Sequence, residues 1–207
     1  MDSGSAAPAA TVDIGNLTRL QLEAQLAELG FEPYRAAQIF QWIYRHGATG
    51  FEQMTTLSRS QRASLAQHFR ITTPTVTRAD ASADGTRKYL LALGDGRQIE
   101  AVFIPDTPSQ TFCVSTQVGC AMGCAFCLTA TMGLVRNLTP SEIVGQVRVL
   151  ADATSLRTSR FNIVLMGMGE PLHNYDHTMT ALHILADPNG LAVGPRRVTL
   201  STVGLVP

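Results

Sequence analysis

An α/β fold with parallel strands, led by a small all-helical domain, is predicted by three features of the sequence. Before residue 70, three segments place apolar residues at helical spacing, and two of them begin with capping-box patterns. Beyond residue 109, β-rich runs alternate with helical patterns, the rhythm of a parallel sheet with crossover helices. Between the two parts, Gly94-Asp95-Gly96 separates two apolar-rich segments, which predicts a β-hairpin.

Residues 1–15 are small, Ala/Ser-rich and free of Lys and Arg, and are expected to form a disordered tail. The helical domain is assigned to residues 16–73. Thr18-x-x-Gln21 caps a first helix that carries Leu20, Leu22, Leu26 and Leu29 and stops at Gly30. A second starts near Pro33, spaces Ala36, Ile39, Phe40 and Ile43 for a core, and ends before Gly47; Ser58-x-x-Gln61 caps a third that reaches Phe69. Residues 74–108 read as linker and hairpin, with strands over Lys88–Leu93 and Arg97–Ile104. In the second strand Ile99, Ala101 and Phe103 share one face, which leaves Glu100 on the other.

Residues 109–207 carry the α/β rhythm. Phe112–Thr116 is a strand leading into a cysteine-rich loop, with Cys113 and Ser115 on one side and Phe112 and Val114 on the other. Thr139-Pro140-Ser141-Glu142 combines an N-cap, a first-turn proline and a capping glutamate, so a helix runs from there to Ala151 with Ile143, Val144, Val147 and Leu150 buried. Phe161–Met166 reads as a buried strand closed by the turn Gly167-Met168-Gly169-Glu170-Pro171. Asn174 is expected to cap a further helix through Leu185, and Val198–Ser201 to form another strand.

At 45% hydrophobic and 15% charged residues the composition is that of a globular enzyme, which excludes disordered and collagenous classes. Sixteen basic and sixteen acidic residues cancel, so no whole-chain basic field advertises nucleic acid. Fifteen of the cations are arginine, whose planar fork grips phosphate and stacks on bases, so a local RNA-binding patch stays open. There is no secretory leader and no run of about 18 apolar residues, so a soluble cytoplasmic protein without membrane contact is expected. Three of the four cysteines crowd into one loop, which is no disulfide framework.

That loop, Cys120-Ala-Met-Gly-Cys124-Ala-Phe-Cys127, places three soft ligands beside Gly119 and Gly123, which let the backbone fold back on itself. Two centres suit it. A 4Fe-4S cubane held by three thiolates keeps one iron open for a substrate. A structural zinc needs a fourth ligand, and Cys113 is the thiol available.

Cys-x-x-x-Cys-x-aromatic-Cys, with Phe126 in the aromatic slot after the first strand of an α/β rhythm, resembles the loop of radical S-adenosylmethionine (SAM) enzymes. The resemblance implies a partial (βα) barrel and a 4Fe-4S cluster on Cys120, Cys124 and Cys127 whose open iron chelates SAM. Gly169 and Glu170 match the segment that contacts the methionine amino group, and Ser201 matches a rim position able to bond to SAM. Four blocks sharpen the match: Cys113–Cys120, Arg136–Val147, Met166–Pro171 and Arg196–Thr202 resemble the adenine-C2 methyltransferases of 23S ribosomal RNA, which also modify certain tRNAs. The helix around Arg35–Tyr44 resembles the accessory domain of that family.

In that family one SAM methylates a cysteine near the C-terminus, and a second supplies the radical that activates the methyl group. Cys113 matches the cysteine that resolves the product by forming a disulfide, and Glu100 matches the residue proposed to take the C2 proton. An electron donor such as flavodoxin and a monomeric state are implied. No cysteine follows Cys127, so the methyl carrier is missing from this chain and a C-terminally truncated fragment is expected. The alternatives are the sister activity at adenine C8 and a non-enzymatic, zinc-stabilised RNA-binding fragment.

Overall fold

The computed structural model describes residues 11–105 and 109–205. The chain starts with β1 (Val12–Asp13), which pairs in parallel with β2 (Phe69–Arg70) at the far end of the helical domain. Between them lie α1 (Arg19–Glu28), α2 (Tyr34–Phe40) and α3 (Arg59–His68). Thr18 and Ser58 each complete a capping box with Gln21 and Gln61, so two orphan N–H donors at each helix start are satisfied locally. The second helix does not run on as a regular α-helix to Gly47; its last turn, Gln41–Arg45, widens to π-helical spacing.

The expected tail over residues 1–15 is corrected for its last residues. Ile14 is buried in the core and Asp13 is 7% exposed. The Asp13 carboxylate accepts hydrogen bonds from Gly15 N–H, the Thr72 hydroxyl and the Ser141 hydroxyl, the last at 2.8 Å. One apolar and one acidic side chain in a run of small residues thus fasten the segment to distant partners. Residues 1–10 lie outside the described residues.

A single six-stranded sheet carries the rest, in the order β10-β9-β6-β5-β4-β3. Its members are β3 (Thr75–Ala81), β4 (Arg87–Ala92), β5 (Gln98–Ile104), β6 (Thr111–Cys113), β9 (Asn162–Leu165) and β10 (Val198–Leu200). The strands β6, β9 and β10 are parallel, joined through α4 (Pro140–Ala153) and α5 (Tyr175–Ala186). The hairpin β4–β5 forms around Gly94-Asp95-Gly96 as expected, with Gly96 at φ +80°. It is more than a link, because β5 pairs antiparallel with β6 and β3 pairs with β4, continuing the parallel sheet. The short antiparallel ladder of β7 (Gln117–Gly119) and β8 (Leu134–Asn137) closes the base of the cysteine loop.

One face of the sheet packs inward through Tyr89, Leu91, Ile99, Ala101, Phe103, Phe112, Ile163 and Leu165. On α4 the predicted stripe of Ile143, Val144, Val147 and Leu150 is buried. The helical layer docks on the same helix. Arg148 is 4% exposed and donates to the carbonyl of Ala48 at 3.0 Å, and burial lowers its affinity for a proton. Arg157 donates to the Tyr44 carbonyl at 2.9 Å, and Arg19 pairs with Asp187 at 3.0 Å. Several arginines that hinted at RNA therefore bind the two parts of this chain together.

Asn174 does not cap the next helix with its side chain. Its amide donates to the carbonyls of Thr116 and Leu138, both at 2.8 Å. Those carbonyls lie in buried irregular backbone, where Thr116 also accepts from Leu138 N–H and Leu138 also meets the His177 ring, and a 3-10 turn over Pro171–Asn174 already leads into α5.

Candidate functional site

The parallel strands end side by side. Register places Cys113 of β6 opposite Val164 of β9, and Val164 opposite Thr199 of β10. The segments beyond these strands, the cysteine loop, Gly167–Glu170 and Ser201, therefore share the carboxyl end of the sheet, where open α/β folds gather ligands.

The loop folds back because its glycines permit it. Gly119, Gly123 and Gly133 have φ values of +76°, +66° and +65°. A Cβ on Gly119 would lie 1.9 Å from the Gly133 carbonyl oxygen, the atom that accepts from Cys120 N–H at 3.0 Å. A turn from Cys127 N–H to the Cys124 carbonyl, 3.0 Å, brings the last two cysteines close in the chain path. Cys120 is buried at the loop base, while Cys124 and Cys127 are half-buried. Phe126 stands 94% exposed between them.

Arg136 on β8 fixes the loop against its neighbours. It grips both oxygens of Glu142 at 2.8 Å and reaches Asp95 at the hairpin tip, also at 2.8 Å. These two carboxylates hold Arg136 more firmly protonated than usual, Glu142 contributing most, and Arg136 in turn lowers the Asp95 carboxyl. Glu142 also accepts from Thr139 N–H, so one glutamate serves the helix cap and the loop together.

The Gly167–Glu170 turn is shaped by close backbone approach. A Cβ on Gly169, whose φ is +103°, would lie 2.6 Å from the Cβ of Gln117, and one on Gly167 would lie 2.6 Å from the Ser115 hydroxyl. Buried Glu170 accepts from Leu172 N–H and Val203 N–H, each at 2.9 Å. Its carboxylate thereby ties the β9 turn to the segment after β10, next to exposed Ser201. Burial pushes this carboxyl upward, but the donors from Val203, Leu172 and Thr202, with His173 nearby, outweigh it and leave it below the ordinary range. A depressed carboxyl stabilises the fold above its unfolded pKa of about 4.3, and that contribution is lost as pH falls through the lower folded value. Glu170→Gln should therefore unfold at lower urea concentration than the parent at pH 7, with the gap narrowing in acid. A gap that persists undiminished in acid would place the effect elsewhere.

Sequence reasoning missed the residues that unite these parts. Ser115 is fully buried; its hydroxyl donates to the Glu100 carbonyl at 2.6 Å and accepts from Met168 N–H at 2.8 Å. Gln146 on α4 clamps the Ser115 backbone at both N–H and carbonyl, 2.8 and 2.9 Å. Gln117 accepts from Glu170 N–H at 2.9 Å. Ser115 was marked only by strand alternation, and a buried amide such as Gln146 carries no local signal at all.

Glu100 and Cys113 come to the same open face of the sheet. Cys113 stands opposite Val102, two residues from Glu100 on the neighbouring strand. Burial raises the Cys113 thiol pKa, partly offset by the backbone at Met166. All four cysteines are free, and among the described residues no three His, Cys, Asp or Glu side chains converge as a preformed metal cage. The donor set still suits a cluster: three thiols on one glycine-hinged loop, two of them accessible, and no fourth thiol on that loop.

Comparison with known proteins gives two domain matches. Residues 12–71 match the ribosomal RNA large subunit methyltransferase N-terminal domain, and residues 114–207 match the radical SAM superfamily. The chain is 50% identical over 195 residues to the dual-specificity RNA methyltransferase RlmN of Pelobacter propionicus, covering 94% of this chain and 55% of that protein. It is 52% identical over 196 residues to the RlmN of Desulfosudis oleivorans, covering 94% and 53%. The chain belongs to the RlmN family. A crystal structure of a radical SAM methyltransferase from Sphaerobacter thermophilus superposes with a TM-score of 0.86 at 44% identity, over 94% of this chain and 57% of that one. This RlmN-family chain spans about half the length of the curated relatives it matches. Its radical SAM match implies SAM and a 4Fe-4S cluster as the cofactors of the superfamily. Among the described residues no helix is long and apolar enough to cross a membrane.

Proposed function

We propose that this chain is the cofactor-bearing part of a radical SAM methyltransferase that methylates C2 of a specific adenine in 23S rRNA and in certain tRNAs. The observation that carries the proposal is the shared carboxyl end of the sheet: the cysteine loop, Gly169-Glu170 and Ser201 each lie beyond one of three adjacent parallel strands. RlmN relatives named as dual-specificity RNA methyltransferases support the substrate class.

Cys120, Cys124 and Cys127 would hold the cluster, and the Gly169-Glu170 backbone with Ser201 would hold SAM. When bound, these groups supply one-electron hydrogen abstraction, the chemistry needed because the adenine C2 hydrogen is too weakly acidic for ordinary methylation. Glu100 takes the C2 proton. Cys113, held on the same face, attacks the carrier sulfur of the adenine-bound adduct. An S–S bond forms, the S–CH2 bond breaks, and the carbon on adenine keeps the electron pair and takes a proton to become the methyl group. That carrier is not one of the four cysteines of this sequence. A donor such as flavodoxin would supply the electron, to a protein acting as a monomer in the cytoplasm.

Purification without oxygen, followed by iron, sulfide and zinc analysis, tests the cofactor. About four irons and four sulfides per chain support the proposal. About one zinc without sulfide would replace it with a structural site and an RNA-binding role. Mapping the methyl group of the product nucleoside separates C2 from the C8 alternative.

A further inference from the structure

The sequence contains a single lysine, Lys88, among fifteen arginines. It lies on β4 opposite Val102, diagonal to Glu100 on the same open face of the sheet. Its ammonium stands 3.0 Å from Glu100 Oε1, with the two side chains 50% and 45% exposed. Asp80 of β3 lies directly opposite Lys88 and is the alternative carboxylate. Asp80, however, is paired with Arg78 at 2.9 Å, so Lys88 pairs inward, toward the strand next to Cys113.

We propose that Lys88 is the positioning residue for Glu100, holding one carboxylate oxygen while the second stays without a partner among the described residues. The inference rests on the assignment of Glu100 as the acceptor of the C2 proton. The chemistry of lysine suits the task. An arginine fork takes both oxygens of a carboxylate, as Arg136 does with Glu142, whereas an ammonium is a point charge that leaves one oxygen open. The backbone of Glu100 is fixed from the other side by the Ser115 hydroxyl at 2.6 Å. Main chain and carboxylate are thus held independently, the first by Ser115 just beyond β6 and the second by Lys88.

Two experiments test this. A water-soluble carbodiimide condenses a carboxylate with a touching amine, losing one water and converting the carbodiimide to its urea. With one lysine in the chain, peptide mass spectrometry should find a Lys88–Glu100 amide that disappears in Lys88→Met and Glu100→Gln. Finding the bond to Asp80 instead, or no bond, overturns the proposal. In a full-length version, Lys88→Met should lower kcat about fivefold without changing KM for RNA, as loss of a half-exposed ion pair allows. It should also enlarge the isotope effect of deuterium at adenine C2, and Lys88→Arg should recover part of the rate. A Lys88→Met enzyme with unaltered kcat and isotope effect, beside an inactive Glu100→Gln, sinks the role of Lys88 alone. Normal turnover by Glu100→Gln would instead remove the proton-acceptor reading on which it depends.

Discussion

Changing Cys124 to alanine is expected to leave the chain folded and unable to keep iron. Cys124 is half-buried on a loop whose shape depends on backbone contacts, so losing its sulfur removes little packing. A cluster held there, in contrast, would have no spare ligand on that loop, and two thiolates cannot replace three. Iron and sulfide should fall from about four each to near zero, with far-UV circular dichroism unchanged. The same holds for half-buried Cys127, and the same loss of iron is expected for Cys120, which is buried. A companion change separates ligand chemistry from loop shape. Gly119→Ala keeps every thiol but drives a methyl group into the Gly133 carbonyl, at a φ that L-residues rarely adopt. It should also lose iron, now through an opened β7–β8 ladder. A full cluster in Cys124→Ala would end the three-cysteine assignment, whereas a full cluster in Gly119→Ala would end only the account of the loop.

The helices were legible because their signals are local. Thr18, Ser58 and Thr139 announce capping boxes within four residues, and all three form. The hairpin and the three parallel strands were legible through alternation and turn residues, and the cysteine spacing alone singled out the candidate site. What escaped was long-range. Asp13 meets Thr72 and Ser141, Arg148 meets Ala48, and Gln146 meets Ser115 across separations that no local pattern encodes. Ser115 shows the boundary clearly. Alternation assigned it to the side of Cys113, but β6 ends at Cys113 and the chain turns, so Ser115 is fully buried while Cys113 stays half-buried. The amide of Asn174 went to two buried carbonyls instead of a helix start for a related reason: its partners lie in another part of the chain.

Cys113→Ala is expected to halt a full-length version after the methyl group has joined adenine and before the product leaves. The position of Cys113 supports this order of events. It lies at the end of β6 on the face shared with Glu100, and β6 leads through Ser115 and Gln117 into the cysteine loop. It is not on the loop itself, so its removal should leave iron and sulfide at their full values. Burial raises its pKa, so the thiol stays protonated to higher pH than an ordinary cysteine. Resolution by the thiolate should accordingly quicken as pH rises toward that raised value. In the variant no thiol remains to attack the methylated sulfur. RNA should stay covalently joined to the protein, migrating with it on a denaturing gel, and multiple turnover should fall to background. Normal release of methylated RNA from Cys113→Ala would strip Cys113 of its role and make it a strand cysteine. Loss of iron in the same variant would point instead to Cys113 as a ligand, the arrangement that a closed zinc site requires. The two failures give different readouts, because the first leaves the cluster intact and the second does not.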